Sequence, residues 1–144
     1  MATIHIDIVS AEGEIYTGEA AMIFAPAREG ELGIAPRHAP LLTGLKPGGV
    51  RVQPAEGGEE LFFYVSGGML EIQPNRVIVL ADTAMRAKDL DEAAAEEARK
   101  RAEDMLKERD SAMEVAKAQA ELSMAMAQLQ LMQKLHKALS LIHI

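Results

Sequence analysis

The positions of glycine and proline divide this chain into two parts that must fold differently. All 11 glycines lie between Gly13 and Gly68, and all six prolines lie between Pro26 and Pro74. Both residue types interrupt helices, so the part that contains them favours strands and turns, whereas the part after Pro74 can form uninterrupted helix. The sequence therefore predicts two domains, residues 1–86 and residues 87–144, with their boundary near residues 85–89.

Alternating apolar residues in the first part predict β-strands. Ile4, Ile6 and Ile8 alternate with other residues, and turn-forming residues recur about every ten positions. Residues 77–80 are continuously apolar, which predicts a strand buried on both faces. Many short strands separated by regular turns indicate an antiparallel β-sandwich.

The second part has the periodicity and the start signals of helices. Asp89 followed by Glu92, and Ser111 followed by Glu114, form two capping-box patterns. A break at Asp110 and Ser111 separates the two helices, and helices joined by so short a turn must run antiparallel. The predicted fold class is β + α, an N-terminal antiparallel β-sandwich followed by a C-terminal antiparallel two-helix hairpin. The predicted helices cover about residues 90–109 and 112–137.

Alanine and methionine dominate the sides of the two helices that are predicted to face each other. Alanine buries little apolar surface, whereas a fully buried Leu or Ile contributes about 1.5–3 kcal/mol. Two interpretations stay open for this hairpin. It either moves between docking sites whose free energies differ by a few kcal/mol, or it stays permanently docked.

The composition excludes several classes of function. A net charge of −7 disfavours a nucleic-acid partner, because an acidic surface repels phosphates. The chain has no cysteine, which removes disulfides, thiolate nucleophiles and cysteine metal sites. No apolar run approaches the ~20 residues needed to span a bilayer, and the N-terminus does not have the pattern of a signal peptide.

Motifs for catalysis are also missing from the sequence. It contains no phosphate-binding loop, no nucleophile elbow and no zinc-binding helix motif, so we predict no catalytic residue, no metal and no cofactor. His38, with Glu29 and Glu31 nearby in sequence, is the one candidate for a metal or acid–base site. These residues belong to a segment, residues 28–43, that mixes charged and apolar residues. It is either a long loop of the kind that carries a binding surface or a strand pair with an irregular crossover.

Six sequence blocks, in this order and spacing, resemble the epsilon subunit of bacterial F-type ATP synthases. The resemblance covers residues 4–92, and the hairpin extends it to about residue 138. The blocks are Val9-Ser-Ala-Glu12, Glu29-Gly-Glu-Leu-Gly-Ile34, Pro36-x-His-Ala-Pro-Leu-Leu-Thr43, Lys46-Pro-Gly48, Ser66-Gly-Gly-x-Leu-Glu-x-Gln-Pro74 and Val79-Leu-Ala-Asp-Thr-Ala84, where x is a position outside the resemblance.

This resemblance implies a non-catalytic central-stalk subunit that helps couple proton translocation to ATP synthesis and inhibits ATP hydrolysis through its C-terminal hairpin. The implied partners are the gamma subunit, the ring of c subunits, and the catalytic beta and alpha subunits. The implied location is the cytoplasmic face of the bacterial plasma membrane, as a peripheral protein. The gamma-binding residues would be Ser10, His38 and Thr43, and the loop facing the c-ring would be Glu29, Gly30 and Glu31.

Basic residues of the hairpin are the implied inhibitory surface towards the catalytic subunits. A solvated helix face that uses Glu/Lys pairs for solubility explains any single one of them equally well. They are Arg99, Lys100, Arg101, Lys107, Arg109 and Lys117.

Two features depart from the family pattern. Some members bind ATP through a Leu/Ile-Asp-x-x-Arg-Ala motif, but this chain reads Leu90-Asp-Glu-Ala-Ala-Ala95, with Ala94 in place of the arginine. Only Leu90, Asp91 and Arg101 remain as nucleotide contacts, so we predict weak or absent ATP binding. The apolar end, residues 139–144, either lengthens the second helix or is not part of the natural protein.

Two other functions compete with the stalk subunit. One is a stand-alone sandwich adaptor whose hairpin recruits an unrelated helical protein. The other is a small hydrolase or metal enzyme that uses His38 and the two glutamates.

Overall fold

A computed structural model of the chain describes residues 2–108 and 112–142, and it divides into two compact units, Met1–Arg86 and Ala87–Ile144. The described part of the first unit forms nine strands. They are β1 (Ile4–Ser10), β2 (Gly13–Ala27), β3 (Gly30–Ile34), β4 (Leu41–Leu45), β5 (Gly48–Pro54), β6 (Leu61–Val65), β7 (Gly68–Gln73), β8 (Arg76–Ala81) and β9 (Ala84–Arg86).

The long strand β2 belongs to both layers of a sandwich. Its first half pairs with β1, and its second half pairs with β3 and β5. Ala20 is the joint, because it is the register partner of both Ile4 and Pro54. The first layer therefore has the strand order β4-β7-β8-β1-β2, and the second layer has the order β3-β2-β5-β6-β9.

The core lies between the two layers and follows the predicted alternation. Ile4, Ile6 and Ile8 of β1 are fully buried, while the residues between them belong to the outward side. Each such side chain contributes about 1.5–3 kcal/mol of burial free energy. The other layer contributes Val50, Val52, Phe63 and Val65 to the same cluster.

One strand pair departs from the predicted antiparallel arrangement. β1 pairs with β8 in parallel, from His5 opposite Arg76 to Ser10 opposite Ala81. The prediction that residues 77–80 form a strand buried on both faces is also wrong. Only alternate residues of β8 face the core, and Leu80 is 50% exposed on the other side.

The second unit begins with a 3-10 turn, Ala87–Asp89, followed by helices α1 (Glu92–Glu108) and α2 (Ala112–Ile142). The predicted start of the first helix at residue 90 is therefore two residues too early. The Ala94 backbone N–H donates to Asp91 Oδ1 at 3.2 Å, so Asp91 caps α1 while Asp89 lies in the 3-10 turn. The predicted end of the second helix at residue 137 is too early, because α2 takes in most of the apolar tail.

The predicted turn at Asp110 and Ser111, together with Arg109, lies outside the described residues. So do the last two residues of the apolar tail, His143 and Ile144.

Helices α1 and α2 pack on each other, and alanine is prominent among the residues that the described part of the hairpin buries, together with Leu131 and Met132. Ala95 and Ala102 of α1 and Ala118 and Ala125 of α2 are all buried. Since only three residues separate the helices in the chain, this packing makes them antiparallel. Small side chains at the contact allow a close approach but bury little apolar surface, so each contact is individually weak.

Removing the Asp91 carboxylate should destabilise the second unit. We expect Asp91→Ala to lower the free energy of unfolding of the helices by about 1 kcal/mol, because the Ala94 N–H loses its acceptor. Thermal unfolding followed by far-UV circular dichroism measures this change. Asp89→Ala is the matched control and should have a smaller effect, and an equal loss from both variants would contradict the assignment of the cap.

Candidate docking surfaces

Five apolar side chains cluster on the outward side of the first layer. Val9, Leu80 and Met69 are neighbours across β1, β8 and β7, and Ile78 and Leu42 flank Glu71 in the next row. Leu42 is 67% exposed, Leu80 50% and Met69 39%. We call Val9, Leu42, Met69, Ile78 and Leu80 the outer apolar patch. Val9, Leu80 and Met69 form an unbroken apolar row, whereas Glu71 separates Ile78 from Leu42. Exposed apolar surface of this kind marks an interaction site.

Charged groups border the outer apolar patch on two sides. The Arg28 side chain lies against Gly44, the residue opposite Met69, and the Arg28 N–H donates to the Gly44 carbonyl at 3.0 Å. On the other side Asp7 lies directly opposite Ile78. A polar rim around an apolar centre is the usual anatomy of a protein–protein interface.

Asp7 is the centre of a polar network that joins three strands. Its Oδ2 accepts from Arg76 Nη2 of β8 at 2.7 Å, and its Oδ1 accepts from Thr17 Oγ1 of β2 at 2.7 Å. His5 Nε2 lies 3.0 Å from the same Oδ1, and His5 Nδ1 lies 3.1 Å from Glu19 Oε1. The network ties both neighbours of β1 to it through side chains as well as through the backbone.

The charges of this network shift the pKa values of two members. Desolvation disfavours the charged form of His5, but its hydrogen bonds to Asp7 and Glu19 outweigh this and raise the His5 pKa above 6.5. Desolvation also acts on Asp7, where the bonds from Thr17, Arg76 and His5 prevail and lower the Asp7 pKa.

The three residues predicted to bind gamma lie along the first layer and the loop that leads into it. Ser10 is only 9% exposed, and its Oγ accepts from the Glu12 N–H at 3.2 Å. Thr43 is half-buried beside the fully buried Leu70, on strand β4. With β8 and β7 between their strands, Ser10 and Thr43 are roughly 14 Å or more apart. Val9 and Leu42, which precede Ser10 and Thr43 in the chain, belong to the outer apolar patch.

His38 lies in the loop between β3 and β4 and is also half-buried. Its ring Nδ1 is 2.7 Å from the Ala39 carbonyl oxygen, which fixes the ring against its own loop. Glu31 is engaged elsewhere, with Oε1 3.2 Å from Arg51 Nη2. The structure therefore gives His38 and Glu31 separate partners. Among residues 2–108 and 112–142, no group of three or more His, Asp or Glu side chains could hold a metal.

Of the predicted ring-facing residues, Glu29 lies in a tight turn at one end of the second layer, whereas Gly30 and Glu31 begin β3. Ala27 and Gly30 are register partners, so Arg28 and Glu29 make a two-residue hairpin loop. Gly30 has φ +136°, a conformation that favours glycine. Glu29 is exposed at the tip, while the Glu31 carboxylate is held by Arg51.

The basic residues of the hairpin do not share one face. Arg99, Lys100 and Arg101 are consecutive, so their side chains leave α1 about 100° apart. Arg99 is paired with Glu96 at 2.8 Å and Glu103 at 3.0 Å. Lys100 and Lys107 are seven residues apart and share an exposed side. Lys117 is exposed on α2.

The residues left for nucleotide contact are also divided. The Asp91 carboxylate caps α1 through the Ala94 N–H, and Arg101 lies nearly three turns further along the helix. Leu90 precedes the helix and is half-buried.

Sequence reasoning missed both the outer apolar patch and the Asp7 network. The signal for the patch was present, since Leu42 and Leu80 stand at outward positions of their strands. The prediction that residues 77–80 are buried on both faces hid the exposed position of Leu80. Across the described residues, no helix is both long enough and apolar enough to cross a membrane.

Comparison with known proteins gives matches over both units. The family described as "ATP synthase, Delta/Epsilon chain, beta-sandwich domain" matches residues 3–87, and "ATP synthase, Delta/Epsilon chain, long alpha-helix domain" matches residues 88–133.

Several curated relatives match almost the whole chain. The ATP synthase epsilon chain of Alkalilimnicola ehrlichii is 62% identical over 137 residues, which is 95% of this chain and 97% of the relative. The epsilon chain of Halorhodospira halophila is 57% identical over 95% of this chain and 97% of its own length. Epsilon chain 1 of Methylococcus capsulatus is 59% identical over 94% of this chain and 96% of its own length.

Solved structures share the fold at much lower identity. A chain in the mitochondrial ATP synthase OSCP/F1/c-ring structure of Euglena gracilis aligns with TM-score 0.74 and 20% identity, covering 96% of this chain and 82% of that one. A chain in the central stalk/c-ring structure of the Tetrahymena thermophila enzyme aligns with TM-score 0.60 and 13% identity, covering 90% and 96%.

Proposed function

The chain belongs to the ATP synthase delta/epsilon chain family, and we propose that it docks onto the rotating central stalk through the outer apolar patch. The family membership confirms the resemblance found in the sequence. It also makes the chain a non-catalytic subunit of an ATP synthase.

The outer apolar patch is the observation that carries the docking proposal. Leu42, Met69 and Leu80 are large apolar side chains exposed together on a rigid layer, an arrangement whose burial is favourable only against a partner. The gamma subunit is the partner we assign to it. Ser10, Thr43 and His38 belong to the first layer or to the loop leading into β4, and we propose that they border this contact.

A matched pair of substitutions tests this docking face. Met69 and Met85 are 39% and 42% exposed, and both lie on strands of the sandwich, but only Met69 belongs to the patch. We expect Met69→Asp to weaken gamma binding about tenfold or more, which corresponds to about 1.4 kcal/mol, because a carboxylate is desolvated among apolar groups. Met85→Asp should change the affinity by less than about twofold. Surface plasmon resonance with immobilised gamma measures both, and equal effects would reject the patch.

The turn at Arg28 and Glu29 is our proposed contact with the c-ring. Glu29 is exposed at its tip, and Gly30 and Glu31 fix its shape through the positive φ and the ion pair to Arg51. Polar side chains on a tight, well-anchored turn suit a contact with polar loops. We place the subunit on the cytoplasmic face of the bacterial plasma membrane through this contact.

We assign inhibition of ATP hydrolysis to the C-terminal hairpin, with the catalytic beta and alpha subunits as its partners. The alanine contact between α1 and α2 provides a weakly held element of the kind that a switch requires. Lys100 and Lys107 on one side of α1, with Arg101 and with Lys117 on α2, are exposed cations available to acidic segments. Arg99 has a structural role instead, because Glu96 and Glu103 already neutralise it.

A further inference from the structure

We propose that His5, Asp7, Thr17 and Glu19 form a proton-loaded clasp that fastens β1 to β2 on the outward side of the first layer. Both ring nitrogens of His5 face carboxylate oxygens, Nδ1 at 3.1 Å from Glu19 and Nε2 at 3.0 Å from Asp7. A neutral imidazole carries hydrogen on only one nitrogen. Thr17 Oγ1 also lies 3.1 Å from Nε2, but its one hydrogen is donated to Asp7 Oδ1 at 2.7 Å. In the neutral state the bare ring nitrogen would therefore face an oxygen that has no hydrogen to donate to it. Both ring nitrogens can therefore donate to the two carboxylates only when His5 is an imidazolium.

The groups around His5 decide which bond opens when the proton leaves. Asp7 is only 11% exposed at its side chain, and Thr17 and Arg76 hold it independently of His5. Glu19 is 54% exposed, and its other oxygen accepts from Thr3 Oγ1 at 3.1 Å. Neutral His5 therefore keeps its hydrogen on Nε2, towards Asp7, and releases Glu19 to solvent. The opening bond is the one between β1 and β2.

The direction of the pH effect follows from the charges that surround His5. Asp7 on β1 and Glu19 on β2 face the ring, and Arg76 on β8 contacts the far oxygen of Asp7. Partial desolvation opposes the charge, but the two carboxylates prevail and raise the His5 pKa above 6.5. The stabilisation is fully present below the unfolded pKa, about 6.5, and disappears as pH rises through the folded pKa.

The clasp adjoins the outer apolar patch. Asp7 lies opposite Ile78, and Val9 follows two residues later on the same side of β1. Opening the clasp frees one attachment of the strand that carries Val9, so alkaline pH should weaken docking to the stalk. This consequence rests on the docking function proposed above, whereas the clasp itself does not.

Nitrogen NMR of the full chain tests the clasp directly. With ¹⁵N-labelled histidine rings, and the His5 signals assigned by their loss in His5→Gln, we expect both His5 nitrogens to be protonated at about pH 6.5 and only Nε2 at about pH 9. Glu19→Gln should lower the His5 pKa by about half a pH unit or more. Glu14→Gln, an exposed change on the same strand, is the control and should leave it unchanged. A neutral His5 at pH 6.5, or equal pKa values in the two variants, would overturn the clasp.

A stability measurement and a binding measurement separate the clasp from its consequence. The urea midpoint of the full chain should fall between about pH 6.5 and about pH 9 by more than the midpoint of His5→Gln, and parallel curves would count against the clasp. Gamma affinity should fall over the same range in the wild type but not in His5→Gln. Affinity that ignores pH would reject the link to docking alone, whereas no gamma binding at any pH would reject the docking function and leave the His5 titration standing.

Discussion

Deleting everything after Lys88 should leave a subunit that still joins the ATP synthase and a complex that hydrolyses ATP severalfold faster. The deletion removes α1 and α2 but keeps all nine strands and the outer apolar patch. The patch is our proposed attachment, so gamma affinity should stay within about twofold of the full chain. The proposed inhibitory element is lost, so hydrolysis by the reconstituted complex should rise while ATP synthesis remains coupled.

A point-substituted hairpin provides the control for this deletion. Lys100→Gln combined with Lys107→Gln removes two charges from one side of α1 without touching the buried alanines. If charge pairing with the catalytic subunits drives inhibition, this variant should show a partial rise in hydrolysis that shrinks at high salt. Hydrolysis that does not change after deletion would show that the hairpin is not inhibitory. Loss of gamma binding would show that the patch alone does not attach the subunit.

Gly68→Ala should cost on the order of 4 kcal/mol of the free energy of unfolding of the sandwich, a large share of the stability of a small domain. Gly68 has φ +135°, and a Cβ at this position would overlap the Leu80 carbonyl oxygen and lie 2.9 Å from Ala81 Cα. These atoms are backbone of β8 and cannot rotate away, so β7 and β8 would have to separate. Both tyrosines, Tyr16 and Tyr64, lie in the sandwich, so tyrosine fluorescence during urea unfolding reports on this unit.

Gly30→Ala separates the two causes of that loss. Gly30 has nearly the same φ, +136°, but among the described residues no atom beyond its two chain neighbours lies within 4 Å of the position that a Cβ would take. It should therefore cost only the backbone strain, about 1–2 kcal/mol. The difference between the two variants measures the overlap with β8. Equal losses would mean that the approach of β7 to β8 is looser than the structure shows.

The sandwich and the hairpin could be predicted because each depends on local patterns. Alternation of Ile4, Ile6 and Ile8 fixes which side of β1 faces the core, and the absence of glycine and proline after Pro74 permits long helices. Which strands pair with each other was harder to predict from the sequence. The parallel contact of β1 with β8 joins residues such as Asp7 and Arg76, which are 69 positions apart, and no local signal marks such a partner.

The details that sequence missed have specific physical reasons. Asp89 and Asp91 are equally good caps by residue type, and only the 3-10 turn at Ala87–Asp89 decides between them. The Asp7 network needs three strands to be placed before its members meet. The predicted contacts of Ser10, His38 and Thr43 stay predictions, and the nearly complete burial of Ser10 leaves most of the available surface to its neighbour Val9.

The continuity of β2 through Ala20 has a mechanical consequence for a part that turns. A force applied at the outward side of the first layer passes through covalent backbone into the second layer, rather than across side-chain contacts alone. The two layers cannot slide past each other without stretching or bending one chain segment. Torque taken up from a shaft at one face of the sandwich would therefore reach the turn at Arg28 and Glu29 with little internal slip.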